Sequence, residues 1–326
     1  MAGRQKRSAP RFGVYRPTEV DAFHFEGAGR PSPKAGLRLA SWNIHFGAGS
    51  TLDDARRFER PHVLEQLERI AQAVNDAEVD VLCLQEVDRD SQRSGHVDQL
   101  DWLREQTGLR HASFATTWDA AWVPYPVTAP PKQQYGRMWS GQAVLSRHPI
   151  TEQRRHALSQ PSRFGWVYNR FYLHRCVQEV VLDVGGRPLT VFNVHLEAFD
   201  MGNRRGQARA LAKLLGRTRG HGVCLGDLNT TPPEAAHRHA FPDEPETDFR
   251  GDDTLPVLRA TGWREVGDGA FTFPAESPTR RLDHALVSPD LGVEVSVLEE
   301  PGPPASDHLG LLCELSWPDD AESAAC

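Results

Sequence analysis

Apolar positions change period repeatedly along the chain. Leu37-Arg38-Leu39-Ala40-Ser41-Trp42-Asn43-Ile44 reads as a strand, followed by a glycine-rich loop at 47–49. Over 61–77, Leu64, Leu67, Ile70, Ala71 and Val74 recur at helical spacing. A compact run from Val79 to Leu84 then ends in Gln85-Glu86. Strand, helix and strand within about 50 residues are the signature of an α/β unit. Asp98 to Gln106 predicts a short helix stopped by Gly108. A strand follows over Gly141 to Ser146, and residues 175–184 and 189–196 predict a hairpin across Gly185-Gly186. Arg204 to Leu215 is a helix with Ala208, Leu211, Leu214 and Leu215 on one face, stopped by Gly216. His221 to Leu225 reads as a buried strand running into the tight turn Gly226-Asp227-Leu228-Asn229-Thr230. A short helix ends at Gly262, and strands are expected near 270–273, 282–288, 293–298 and 309–316. Two stretches resist both periods. Residues 117–140, with Trp118, Trp122, Tyr125, Tyr135 and Trp139 among prolines, read as a long irregular loop kept ordered by its aromatics. Residues 232–252 read as a proline- and acid-rich loop.

No repeat and no change of composition interrupts 37–317, which reads as one domain. It is preceded by a basic, Pro/Gly-rich flexible arm at 1–36 and followed by an acidic tail at 318–326. Hydrophobic residues at 39% and charged residues at 25% suit a soluble globular chain. No apolar run approaches the roughly 20 residues needed to span a bilayer. The basic start, Met1 to Arg11, is not followed by a hydrophobic segment, so no secretory signal is read and a cytoplasmic, monomeric protein is expected. The five cysteines, at 83, 176, 224, 313 and 326, form no CxxC and read mainly as small buried hydrophobes. A net charge of -7 argues against non-specific binding to duplex nucleic acid, which needs Lys and Arg on the phosphates. Local basic groups do occur at Arg154-Arg155, Arg163-Arg170-Arg175 and Arg204-Arg205.

Polar residues of one kind recur where these strands end. Asn43 closes the first and Glu86 the second, His195 lies near the end of Val191 to Leu196, and Asp227 and Asn229 follow the central run. Asp283 interrupts Arg281 to Val287, and Asp307-His308 precedes the final strand. Strand ends are where layered α/β folds assemble their sites. Each residue alone has a plain explanation as a turn former, a cap or a satisfied buried histidine. Together they supply carboxylates and amides, the oxygen donors that hard cations such as Mg²⁺ prefer, and histidines suited to proton transfer. Asp227 and Asn229 are two apart, which on extended backbone puts both on one face.

The motifs Ser41-Trp42-Asn43, Leu84-Gln85-Glu86-Val87, Gly141 to Ser146 followed by Arg147-His148-Pro149-Ile150, Asn193-Val194-His195-Leu196, Gly226-Asp227-Leu228-Asn229, Leu282-Asp283-His284 and Ser306-Asp307-His308 occur in one order over about 270 residues. In that order the chain resembles the endonuclease/exonuclease/phosphatase (deoxyribonuclease I-like) superfamily. The resemblance implies a four-layer α/β/β/α sandwich of two packed mixed sheets flanked by helices. It implies a phosphoric ester hydrolase aided by Mg²⁺ or Mn²⁺. By motif, Glu86 is the principal metal ligand, with Asn43 and Asp307 beside it. Asp227 orients or deprotonates water, and Asn229 steadies that water or a phosphate oxygen. His308, held by Asp283, faces the phosphate. His195 stands where relatives stabilise the transition state or leaving group; which histidine is acid and which base stays open.

Arg175 reads equally as a phosphate clamp or as a surface strand arginine. Gln142 stands where relatives often carry Asn and reads as structural. Three functions remain on this reading: a phosphodiesterase, nuclease-like or sphingomyelinase-like; a phosphatase on a small-molecule or inositol/lipid phosphate monoester; and a catalytically inactive binding module. The intact residue set argues against the last. The partner is a phosphate ester, nucleic acid among the candidates, because specificity sits in loops that a fold does not fix.

Overall fold

The computed structural model describes residues 21–23, 36–53, 55–162, 165, 169–267 and 269–318. Most of the expected arm and tail, with Arg163 and Cys326, lies outside the described residues. Within the arm, Asp21–Phe23 forms a strand, β1. The elements that follow are β2 (Leu37–Asn43), α1 (Arg60–Asp76), β3 (Val81–Asp88), α2 (Gln99–Thr107), β4 (His111–Val123), β5 (Gly136–Ser146), β6 (Ile150–Ala157), β7 (Cys176–Val184) and β8 (Arg187–His195). After them come α3 (Met201–Leu215), β9 (His221–Asp227), α4 (Thr254–Arg259), β10 (Arg264–Val266), β11 (Asp283–Val287), β12 (Gly292–Val297) and β13 (Leu311–Ser316).

The strands form two mixed sheets, ordered β1-β4-β5-β3-β2-β13-β12 and β10-β11-β9-β8-β7-β6. Each contains one parallel pair, β2 with β3 and β8 with β9. Three cores define four layers. Val63, Leu67, Ile70 and Val74 of α1 and Leu100 and Leu103 of α2 pack on Trp42, Leu82 and Leu84. Between the sheets, Leu39, Val81, Cys83 and Val144 meet Val180, Leu182, Val191, Val223, Leu225 and Ala285. Leu211 and Leu215 of α3, with Leu255 and Leu258 of α4, cover Phe192, Cys224 and Leu286. Each such aliphatic side chain contributes roughly 1.5–3 kcal/mol when fully buried. This is the sandwich expected from the sequence. The helix stops also follow: the Asp98 side chain accepts from Asp101 N to start α2, and Gly108, at φ +67°, closes it.

The irregular loop expected at 117–140 is mostly strand. β4 and β5 continue to Val123 and from Gly136, leaving only 124–135 between them. Register shifts between Thr116 and Trp118 and between Ala120 and Val123 break the period-two pattern, which is why the sequence reads as irregular. The aromatics build a small core of their own, in which Trp118 packs on Ala120, Val123, Tyr135 and Met138. The strand expected near 270–273 is only an isolated bridge, Phe273 to Arg280. β6 is a sheet edge with a polar sequence, so it carries no apolar alternation; Arg154 and His156 tie it to Glu179 on β7.

Below the site the inter-sheet core turns polar. Gln85 Nε2 donates to Asn193 Oδ1 at 2.7 Å, and Asn193 Nδ2 donates to Leu84 O at 3.0 Å and Ala143 O at 2.9 Å. Gln142 Nε2 donates to Asn193 O at 3.0 Å. These bonds join the two sheets and fix their relative register, so Gln142 is structural, as expected. A slide of one sheet on the other would strand these buried groups at about 1–3 kcal/mol each.

Candidate active site

The site sits where both parallel pairs end. Register alone aligns part of it: His195 on β8 lies opposite Asp227 on β9, which lies opposite Asp283 on β11. Gly226 permits this row. A Cβ there would lie 1.9 Å from Val194 O, and its φ of +145° is open only to glycine. On the facing sheet, Asn43 ends β2. Glu86 lies in a bulge of β3, where three steps from Leu84 to Val87 oppose two from Ala143 to Gly141. Its φ of +56° marks a strained backbone of the kind used to re-aim a side chain.

Asp227 is the centre. Its carboxylate accepts from Asn229 N at 2.8 Å, Asn43 Nδ2 at 3.2 Å and Asn229 Nδ2 at 3.3 Å. His195 Nε2 stands 3.4 Å and His308 Nε2 3.8 Å from Oδ2. Asp227 and Asn229 do meet, but not as alternate residues of a strand. β9 stops at Asp227, and Asn229 turns back at φ +50° to hydrogen-bond it. Asn is among the few residues that tolerate this conformation.

The histidines are held differently. His308 Nδ1 lies 2.7 Å from Asp283 Oδ2, which directs Nε2 toward Asp227. Its ring packs on Phe273, centroids 4.8 Å apart, and Trp42 Nε1 donates to its carbonyl at 2.9 Å. Phe273 is itself fixed: the buried Arg280 guanidinium lies between it and Phe241 and pairs with Asp243 and Glu244. Burial disfavours the His308 cation, but Asp283 and Asp227 outweigh it and raise its pKa. Burial lowers the His195 pKa well below 6.5, helped by the charges of Arg175 and His308. Burial raises the Asp227 pKa, against the pull of His308. The two imidazoles are thus pushed apart, the usual arrangement for dividing proton donor from acceptor.

Asn43 links the second group. Its Nδ2 lies 3.5 Å from Glu86 Oε1, and Ser306 Oγ donates to Asn43 O at 2.7 Å and lies 3.2 Å from Asp307 Oδ1. His45 Nδ1 lies 3.5 Å from the same Asp307 oxygen. Among the described residues no cluster of three or more His, Cys, Asp and Glu has metal-holding geometry. Glu86 and Asp307 offer carboxylate oxygens, a set sparse enough for an ion that keeps several waters, as Mg²⁺ does, while Asn43 turns its NH2 to Glu86 and Asp227 and its Oδ1 accepts from His45 N at 3.1 Å. The residues fit such a cation.

The loop before Ser306 carries a testable strain. Glu300 accepts from Ala305 N at 2.7 Å, yet its Oε1 is buried without a partner, and burial raises its pKa to about 7. The folded state therefore favours the protonated form: stability from this group is present below the unfolded value of 4.5 and is lost as pH rises through 7. Glu300→Gln keeps an acceptor for Ala305 without the charge. It is expected to raise Tm by a few degrees, about 2–4 °C, at pH 8 and to leave it unchanged below pH 4. Thermal melts at the two pH values check this.

Arg175 is 6% exposed, which excludes a surface strand arginine. Its Nη1 donates to His195 O at 3.5 Å, and its Nε lies 4.0 Å from the fully buried Glu197. Tyr172 donates to the same carboxylate at 2.8 Å. Arg175 thus lies behind the row of His195, Asp227 and Asp283, held by Glu197 and bonded to the His195 carbonyl. His284, next to Asp283, stays outside the site, with its ring nitrogens at Thr230 O and Glu265. The sequence reading gave no role to Phe273, Arg280, Glu197 or Ser306. Ser306 lay inside a recognised motif, but nothing in the chain marks Phe273 as the neighbour of a residue 35 positions away.

The model of the Endonuclease/Exonuclease/phosphatase family matches residues 40–308. Solved structures share the fold. An endonuclease/exonuclease/phosphatase from Beutenbergia cavernae is 23% identical, covering 87% of this chain and 72% of its own, with a TM-score of 0.63. The Bacteroides thetaiotaomicron mannosyl-6-phosphatase Bt3783 is 18% identical over 86% of this chain and all of its own, with a TM-score of 0.56. D. rerio TDP2, solved with a single-strand DNA product, is 13% identical over 87% of this chain and all of its own, with a TM-score of 0.55. Among curated proteins none matches. With the model covering seven motifs in order and the sandwich that carries them, this chain belongs to the endonuclease/exonuclease/phosphatase family, whose members are hydrolases acting on phosphoesters.

Proposed function

We propose that the protein hydrolyses a phosphodiester with the aid of Mg²⁺ or Mn²⁺, by attack of water. The convergence of Asn43, Asn229, His195 and the Asp283-held His308 on one buried carboxylate, Asp227, carries this reading. Glu86 and Asp307 would hold the cation, with Asn43 positioning Glu86 through its NH2. Bound there, it supplies neutralisation of phosphate charge and stabilises the developing oxyanion. Asp227 orients the water and takes its proton. Asn229 fixes the Asp227 rotamer through two hydrogen bonds. His308 donates from Nε2 to a phosphoryl oxygen, its tautomer set by Asp283. His195 Nε2, 3.4 Å from the same Asp227 Oδ2, steadies the leaving oxygen, to which the proton taken by Asp227 returns.

The test uses bis-p-nitrophenyl phosphate and p-nitrophenyl phosphate with Mg²⁺ or Mn²⁺. Hydrolysis is expected with either metal, faster on the diester, and lost with EDTA. Activity indifferent to EDTA, or none on any ester, would count against the reading; a preference for the monoester would turn it toward a phosphatase.

A further inference from the structure

The proline- and acid-rich loop over 232–252 has no part in the chemistry above, yet the fold brings it up to the ring that packs on His308. Phe241 and Phe249 of this loop form one buried apolar cluster with Phe273 and Leu282. The Arg280 side chain, 1% exposed, enters that cluster. Its guanidinium carbon lies 4.2 Å from the centroid of Phe241 and 4.7 Å from that of Phe273. Nη1 and Nη2 donate to the two oxygens of Asp243 at 3.0 and 2.7 Å, and Nη2 donates to Glu244 Oε2 at 2.7 Å. The loop is moored at its other end as well, where Arg204 of α3 pairs with Asp252 at 2.8 Å and lies over Phe249.

Backbone bonds carry the position of Phe273 to the catalytic residues. Phe273 and Arg280 exchange them, N to O at 3.0 and 3.1 Å. Thr272 O accepts from Leu309 N at 2.8 Å, and Ala275 N donates to Asp307 O at 2.7 Å. Thr272 Oγ1 accepts from Asp283 N at 3.3 Å. The segment around Phe273 therefore grips the residues on either side of His308, while its ring bears on the imidazole. That ring is set in turn by Arg280. A guanidinium is kept out of water only where its charge and its donors are met. Asp243 and Glu244 meet them, and the planar fork fixes the orientation as well as the distance. An aromatic ring beside it gains a further attraction to the cation.

We infer that Arg280 is a positioning residue for His308 and that the 232–252 loop sets it: Asp243 and Glu244 hold the guanidinium, the guanidinium holds Phe273, and Phe273 holds the imidazole on Asp283. The effect on turnover rests on the phosphodiesterase reading; the effect on the His308–Asp283 bond does not. A displacement of about 1 Å in a reacting group is enough to cost up to about 10²-fold in rate, so slack in the ring is felt in the chemical step rather than in substrate binding.

The test opens the clamp from each side in the full chain. Arg280→Met removes the cation, and Asp243→Asn with Glu244→Gln removes its anchors. Two readouts are taken: the far-downfield proton NMR signal of the His308 Nδ1–H bond to Asp283, identified by its loss in His308→Ala, and steady-state hydrolysis of bis-p-nitrophenyl phosphate. A sharp signal is expected in the parent, broadened or lost in both variants while the melt stays cooperative. Turnover is expected to fall by about tenfold with KM within about twofold, and combining the substitutions should add little, because the groups act as a unit. Arg250→Gln, which breaks the exposed Arg250–Asp248 pair of the same loop, should leave signal and turnover at the parent level. If Arg280→Met does not fold, Asp243→Asn alone, which keeps the shape of the anchor, decides in its place. A signal that stays sharp in the clamp variants overturns the inference, whatever happens to the melt or to turnover. So does a parent without the signal, since the inference requires a held imidazole. A signal lost in the clamp variants of a protein that hydrolyses no ester supports the clamp and overturns only the phosphodiesterase reading.

Discussion

Asp227→Asn is expected to lower turnover on a phosphodiester by about 10³-fold with little change in KM, within the range that loss of a general base produces. The substitution conserves shape and removes the negative charge on which the site converges. Asn229 N still finds an acceptor, so the turn after β9 persists. Substrate binding depends on other groups, so the loss falls on kcat. Burial works against the Asp227 carboxylate, and the new NH2 group meets the Asn43 and Asn229 amides that had donated to it; the two effects oppose, so the variant is expected to melt cooperatively near the parent at pH 8. Steady-state kinetics and thermal melts check both halves. Turnover within tenfold of the parent removes Asp227 from the mechanism; a collapsed melt with lost activity makes it structural instead.

His308→Ala is expected to lower turnover by about 10²–10³-fold, and Asp283→Asn by about 10²-fold. The double variant should be no slower than His308→Ala alone, because Asp283 acts through the imidazole it holds at 2.7 Å, and groups acting as a unit are not additive. Added imidazole should restore part of the His308→Ala activity, since the ring's place is bounded by Phe273, Asp283 and Asp227. It should not rescue Asp283→Asn. Independent, multiplying losses would mean that Asp283 has a role apart from His308, as its unpartnered buried Oδ1 allows.

The substitutions most worth making were legible before any coordinates. Seven short motifs in order named Asn43, Glu86, His195, Asp227, Asn229, Asp283, Asp307 and His308, and the fold joins them by hydrogen bonds and close ionic contacts at one end of two sheets. Arg175 read equally as clamp or surface residue, because a lone arginine at a strand start carries no sign of what will cover it. The hairpin of β4 and β5 read as a loop because its bulges break alternation where the aromatics cluster. The aromatics Trp122 and Tyr125 stood out in the sequence, but their exposure did not, since exposure belongs to the assembled surface.

The sequence by itself determined most of the periods, the helix stops and the candidate site residues, because these are local: a side chain's type, its spacing and the turn that Gly226 or Asn229 allows. Tertiary structure decided everything that needs two distant segments in one place. It set the Gln85–Asn193 bond that locks the sheets and the Asp283–His308–Phe273 stack held by Arg280. Those depend on which strands lie side by side and which ends they share, and no stretch of chain read alone contains that information.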